Sequence, residues 1–215
     1  MGFIDYLRDP GTRDVLLDES IEHLSLIATA IIAAVIIGVT LGIVAHRSGL
    51  LRGPIMNTLA VLLTIPSLAA FALLIPLVGI GFRPAVIALT AYALLPIARN
   101  TMAGLQSVDA AVVESARGMG MSNTQRLLRM ELPVAWPVIL TGVRVASQMT
   151  VGIAAAAVLV GGPGLGGEIY SGIRRMGSTG AFESLLGGTL AILVIALLLD
   201  LFYQLIGKLT TSKGL

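Results

Sequence analysis

Apolar residues run through this chain in long uncharged blocks and do not alternate with polar ones. Leu24 to Ala45 contains no Asp, Glu, Lys or Arg, and neither does Pro54 to Phe82. Blocks of about 20 apolar residues are the length a helix needs to cross a bilayer. The pattern predicts five such segments: Leu24–Ala45, Ile55–Ile80, Pro84–Leu105, Val134–Val160 and Glu183–Gly207. It therefore predicts an all-α membrane protein with five transmembrane helices in one domain, residues 1–215. A polar segment, 1–23, precedes the first span, and a polar loop, 106–133, lies between the third and fourth.

Several spans carry residues that disturb a plain apolar helix. Pro66 and Pro76 in the second and Pro96 in the third each remove a helical hydrogen bond and are expected to bend the helix. Such breaks are tolerated at membrane depth where the backbone lines a cavity or is buried in protein. Gly38 and Gly42 give the first span a small-xxx-small spacing that allows close helix approach. Arg144 and Asp200 are ionisable residues inside the fourth and fifth spans. At the helical rise per residue, both sit on the order of 10 Å from the loop-side boundary. Intramembrane charges pair or face water, so these two are expected either to pair or to line a vestibule; separate snorkelling is the alternative. Tyr92, Asn100, Gln148 and Thr150 are further polar candidates for lining a path, together with Pro66.

Composition supports the membrane reading and narrows the chemistry. Charged residues make up 12% of the chain, against about 25% in soluble domains. The arginines are dispersed, so no nucleic-acid surface is expected. With no cysteine, disulfides and thiolate ligands are excluded. His23 and His46 flank the first span at opposite ends, too far apart to share a metal, and are expected to be interfacial. No metal site is expected. Six carboxylates and two arginines in the first 22 residues are the reverse of a secretory n-region, so the first span is expected to act as the insertion signal.

Basic residues set the direction. Arg47, Arg52, Arg99, Arg117, Arg126, Arg129, Lys208 and Lys213 fall on one side. Arg8, Arg13, Arg83, Arg174 and Arg175 fall on the other, accompanied by eight of the twelve carboxylates. The first side is expected to be cytoplasmic, with the N-terminus outside and the C-terminus inside.

The loop itself reads VESARGMGMSNTQRLLRMELP from Val113 to Pro133. Asp109 can cap a helix beginning at Ala110, with Val112, Val113, Ala116 and Met119 on one face. Gly118 and Gly120 permit a sharp turn. Ser122 and Gln125 fit a capping box that starts a second helix, and Pro133 is expected to end it. A short amphipathic helix pair of this kind suits docking into a groove of another protein. Packing against the chain's own helix ends is the plainer alternative.

The same stretch resembles the EAA loop of permease subunits of bacterial type I ABC importers. In that pattern E-A-A-x-x-x-G is followed, after nine residues, by I-x-L-P. Here Glu114, Ser115, Ala116 and Gly120 are followed, after nine residues, by Met130, Glu131, Leu132 and Pro133. Ser115 replaces Ala and Met130 replaces Ile. IPSLAAFALLIPLVGIG (Ile65–Gly81) and YALLPIARNT (Tyr92–Thr101) resemble the osmoprotectant branch of that family, and GGPGLGG (Gly161–Gly167) fits its glycine-rich outer loop.

The resemblance implies a five-helix importer permease fold with cytoplasmic coupling helices, in a bacterial plasma membrane. It implies a dimer of ABC ATPase subunits as partner, a second permease chain, same or homologous, and an extracytoplasmic solute-binding protein. The cargo it implies is a quaternary ammonium solute such as glycine betaine, choline or carnitine; a methionine-type or other small-solute importer is the runner-up. ATP and Mg would sit on the ATPase, with no cofactor on this chain and no covalent chemistry catalysed by it. Gly161, Gly164, Gly166 and Gly167 lack the following Gly-Lys-Ser/Thr of a phosphate-binding loop, since Glu168 comes next. They read either as a close-packed turn or as an outer gate or binding-protein contact. A channel or secondary transporter would need coupling carboxylates in its core, and only Asp200 is available. A membrane-embedded enzyme is disfavoured by the absence of HExxH and GxSxG motifs.

Overall fold

The computed structural model describes residues 2–210, so Lys213 of the basic count lies outside the described residues. One short helix and four longer ones open the chain: α1 (Phe3–Arg8), α2 (Pro10–Arg47), α3 (Gly49–Thr64), α4 (Ser67–Val78) and α5 (Phe82–Gln106). The loop holds α6 (Ala110–Gly118) and α7 (Asn123–Arg126), a π turn (Leu127–Glu131) leads into α8 (Leu132–Ala154), and a 3₁₀ turn (Ala155–Val160) ends it. The chain closes with α9 (Gly166–Arg174) and α10 (Ala181–Thr210). There is no strand among the described residues.

The segment before the first span is not a separate tail. Asp9 caps α2 by accepting from the Thr12 amide, and Pro10 sits at the first helical position, where its missing N–H costs nothing. The helix then runs unbroken into the apolar span. Among the described residues four helices are long and apolar enough to cross a membrane, and α3 with α4 passes the same test as a bent pair, the geometry of a broken span or a re-entrant loop.

That break corrects the expectation of a bent but continuous second span. Between Thr64 and Ser67 the chain turns through 99°. Ile65 and Pro66 are extended, and the Tyr92 hydroxyl donates to the Ile65 carbonyl at 2.6 Å, satisfying a group the interrupted helix leaves open. Pro76 and Pro96, by contrast, lie inside helices that continue through them.

Of the four unbroken spans the most buried is α5 and the least is α10. α5 is packed between α2 and α8. Small residues make these crossings close. A Cβ on Gly42 would stand 2.6 Å from Thr101 Cβ and 2.7 Å from the Ala98 carbonyl, and one on Gly38 would stand 2.9 Å from Ile97. The small-xxx-small spacing is therefore the seam between α2 and α5. Leu26, Ala30, Leu89, Ala93, Ile97 and Ala146 form the centre of the core.

Candidate functional site

The loop between α5 and α8 folds as the spacing of caps and glycines requires. Asp109 accepts from the Ala111 amide at 2.8 Å. Gly120 has φ +77, and a Cβ there would meet nothing within 4 Å, so backbone handedness alone selects glycine. Ser122 accepts from the Gln125 amide at 3.3 Å while Gln125 accepts from the Ser122 amide at 2.9 Å, closing the capping box. Glu114 and Ser115 are exposed on α6, and Ala116 is buried beneath them. Met130 and Leu132 are half-buried, and Pro133 is exposed.

Pro133 does not end the second helix, contrary to expectation. The π turn carries the chain through it: the Leu132 amide bonds back five residues to the Leu127 carbonyl. Pro133 then falls in the first turn of α8, where a missing N–H is tolerated. The same turn places Arg126 and Glu131 face to face, with Nε to Oε1 at 2.6 Å and exposures of 8% and 5%. Arg47, the last residue of α2, reaches the other carboxylate oxygen at 3.6 Å and donates to the Asn123 carbonyl at 3.2 Å. A concavity of about 630 Å³ separates α6 from this group, lined by His46, Arg47, Glu114, Arg117, Arg126 and Glu131 among others. Sequence reasoning did not single out Arg47, Arg126 or Glu131 as a unit.

Within the spans, Arg144 and Asp200 form a two-bond pair, Nε–Oδ1 at 2.7 Å and a terminal guanidinium nitrogen to Oδ2 at 2.8 Å. Gln204 donates to Asp200 at 2.8 Å, and Gln148 donates to the Ala196 carbonyl at 3.1 Å. This cluster joins α8 to α10. The other candidates stand apart from it. Tyr92 is buried at the α3–α4 break, with exposed Pro66 beside the carbonyl it binds. Asn100 donates to the Pro96 carbonyl at 2.8 Å, and Thr150 is buried and donates to Ala146.

At the opposite, N-terminal face, the glycine-rich segment is a close-packed cap that runs into α9. Gly161 and Gly164 have φ of +73 and +108. A Cβ on Gly164 would lie 2.8 Å from His23 Nδ1, one on Gly167 would lie 2.7 Å from Glu19, and one on Gly166 would overlap the Ala155 carbonyl. His23 is completely buried rather than interfacial, with Nε2 3.2 Å from the Val151 carbonyl. Beside it lies a polar network that the sequence did not reveal. Tyr6 donates to Glu168 at 2.9 Å, Ser184 also donates to Glu168, and the Glu168 amide donates to Glu19 at 3.3 Å. Arg175 donates to Ser171 at 2.8 Å and to Ser184 at 3.2 Å. Glu19 lies outside the uncharged part of α2. Burial, then the neighbouring Glu168, push its carboxyl up to about 7. Burial pushes the Tyr6 phenol up to about 12. Among the described residues no group of three or more metal-ligating side chains converges.

A bundle of apolar spans around one buried helix, with a capped helix–turn–helix projecting at one face, defines a multi-pass membrane protein. Residues 25–212 match the family described as binding-protein-dependent transport system inner membrane component, and the chain belongs to that family. It is 40% identical over 220 residues to the osmoprotectant import permease protein OsmW of Salmonella typhimurium, covering the whole of both chains. It is 34% identical to the choline transport system permease protein OpuBB of Bacillus subtilis, covering 93% of this chain and 90% of that one. A solved structure of the MetNI methionine ABC transporter, in an inward-facing conformation, has the same fold. Its TM-score is 0.84 at 21% identity, over 95% of this chain and all of that one.

Proposed function

We propose that the chain is the transmembrane subunit of an ATP-driven importer of a quaternary ammonium osmoprotectant such as glycine betaine, choline or carnitine. The observation that carries the importer reading is α6. It is an exposed helix bearing Glu114 and Ser115, set by a left-handed glycine turn and a closed capping box against the foot of a span. A helix so presented suits insertion into a groove of another protein. The cargo class rests on relatives whose names specify osmoprotectants, choline, and glycine betaine with carnitine and choline.

In this reading residues 1–215 act as one permease domain in the bacterial inner membrane. The loop face is cytoplasmic, the N-terminus outside and the C-terminus inside. Partners are a dimer of ABC ATPase subunits, a second permease chain and an extracytoplasmic solute-binding protein. ATP and Mg are held by the ATPase, and this chain binds no cofactor. Glu114, Ser115, Ala116, Gly120, Met130, Leu132 and Pro133 form the coupling element. Movement of α6 rocks the spans between inward- and outward-open states. Arg144, Asp200 and Gln148 belong to the translocation path with Pro66, Tyr92 and Asn100, and the Gly161–Gly167 cap contributes to the outer gate. High-affinity recognition of the solute falls to the binding protein, since the four tyrosines and one tryptophan do not cluster along the sequence.

The test is uptake into proteoliposomes holding the chain with its ATPase and binding protein. Labelled glycine betaine, choline, carnitine and methionine are offered with and without internal ATP. ATP-dependent uptake of one of the first three supports the reading. Methionine uptake alone would replace the cargo, and uptake without ATP would overturn the importer.

A further inference from the structure

We propose that Glu131 is a positioning residue that ties the α6–α7 hairpin to the foot of the first span, so that movement of the hairpin reaches α2 and α8 together. This rests on the importer reading above. The geometry begins with a spacing that an α-helix does not allow. Side chains meet on an α-helix at three and four residues apart, yet Arg126 and Glu131 are five apart and in contact at 2.6 Å. The π turn accounts for it: its i to i+5 hydrogen bonds stack residues five apart. The turn therefore aims a buried carboxylate sideways, out of its own helix, toward α2.

There Arg47 completes the link. It ends α2, lies 3.6 Å from the second oxygen of Glu131, and donates to the carbonyl of Asn123, the first residue of α7. One side chain of the first span thus grips both ends of the α7–π segment. Meanwhile α6 leans on the rest of the chain chiefly through α7 and the π turn. The concavity lined by His46, Glu114 and Arg117 separates it from the foot of α2. A push on α6 reaches the foot of α2 directly through Arg126, Glu131 and Arg47, beside the backbone route through residues 107–109 into α5 and its seam with α2. The route into α8 is covalent, because α8 begins at Leu132.

Two measurements test the link, and the first needs no partner. The chain has no cysteine, so spin labels go only where V44C and A111C place them, on α2 and α6. In nanodiscs, the distance distribution between them is expected to be narrow in this background. It should broaden by roughly twofold when Glu131→Gln or Arg47→Gln is added. Unchanged widths would overturn the proposal.

The second uses the complex with its ATPase and binding protein. Arg47→Gln should still assemble and hydrolyse ATP, while solute imported per ATP falls by about tenfold and Arg47→Lys recovers most of it. Unchanged import per ATP, or loss of the ATPase from the complex, would overturn the proposal, the latter by making Arg47 an assembly contact. If the unmodified chain brings down no ATPase, the importer reading fails by itself, and the spin-label widths still decide the linkage.

Discussion

The two ends of this bundle hold polar clusters built on opposite charge logic. At the loop face one carboxylate, Glu131, meets two guanidinium groups, Arg126 and Arg47. At the N-terminal face two carboxylates, Glu19 and Glu168, share one network, joined by the Glu168 amide donating to Glu19. Tyr6 and Ser184 donate to Glu168, while Arg175 bonds only to serines. The loop end is balanced by cations carried on neighbouring helices. At the N-terminal end no cation among the described residues bonds to either carboxylate, and burial, then the neighbouring Glu168, push the Glu19 carboxyl up to about 7. The first arrangement suits a permanent mechanical joint. The second suits a contact that loosens when the proton leaves.

The largest effect expected from this contrast comes from truncating the shared carboxylate. Glu131→Ala strands a buried Arg126, 8% exposed, and should cost about 3–5 kcal/mol. Glu168→Ala strands only the hydroxyls of Tyr6 and Ser184 and should cost about 1–3 kcal/mol. Thermal unfolding of both variants in the same detergent checks the ranking, and equal losses would break the contrast.

Next come the glycines of the two ends. Gly164→Ala must adopt φ +108 against the wall of His23, for about 2–3 kcal/mol. The same unfolding assay should show a smaller loss for Gly120→Ala, whose site is open.

A pH profile gives the third effect. The folded Glu19 carboxyl at about 7 lies above its ordinary value of 4.5. The folded state therefore binds more protons between those values, and stability falls as pH rises through that window. The stabilisation is fully present below about pH 4.5 and lost above about pH 7. Allowing for solvent screening, it is on the order of 1–2 kcal/mol. Melting temperature against pH should lose this slope in Glu19→Gln, and persistence of the slope would assign it to another group.

The smallest effect is Gly120→Ala. With open space around it and only the positive φ to overcome, it should cost about 1 kcal/mol. A cost matching Gly164→Ala would mean that the loop turn is packed against something the present geometry lacks.

The spans and the loop were legible because their signals are local. Uncharged runs mark the first, and caps three residues apart mark the second. Arg144 and Asp200 stood out in advance because few other charges enter the spans, but pairing, a shared vestibule and separate snorkelling stayed open until the two-bond contact was seen. What stayed hidden depends on contacts distant in sequence or on a changed helical period. Pro66 and Pro76 look alike on paper, but only the Pro66 break has Tyr92 beside it to satisfy an open carbonyl. Pro133 looked like a stop because a π turn leaves no mark in an α-periodic pattern, and the same turn concealed the five-residue pairing of Arg126 with Glu131. The N-terminal network draws on Tyr6, Glu19, Glu168 and Ser184, which only the folded bundle brings together.

The most direct test of the central claim is affinity purification of the chain from its native membrane, with mass spectrometry of what accompanies it. The control is Gly120→Pro, which the φ of +77 forbids. An ABC-type ATPase should accompany the native chain and be missing from the variant. A chain that comes out alone, and that transports solute in liposomes without ATP, would contradict it.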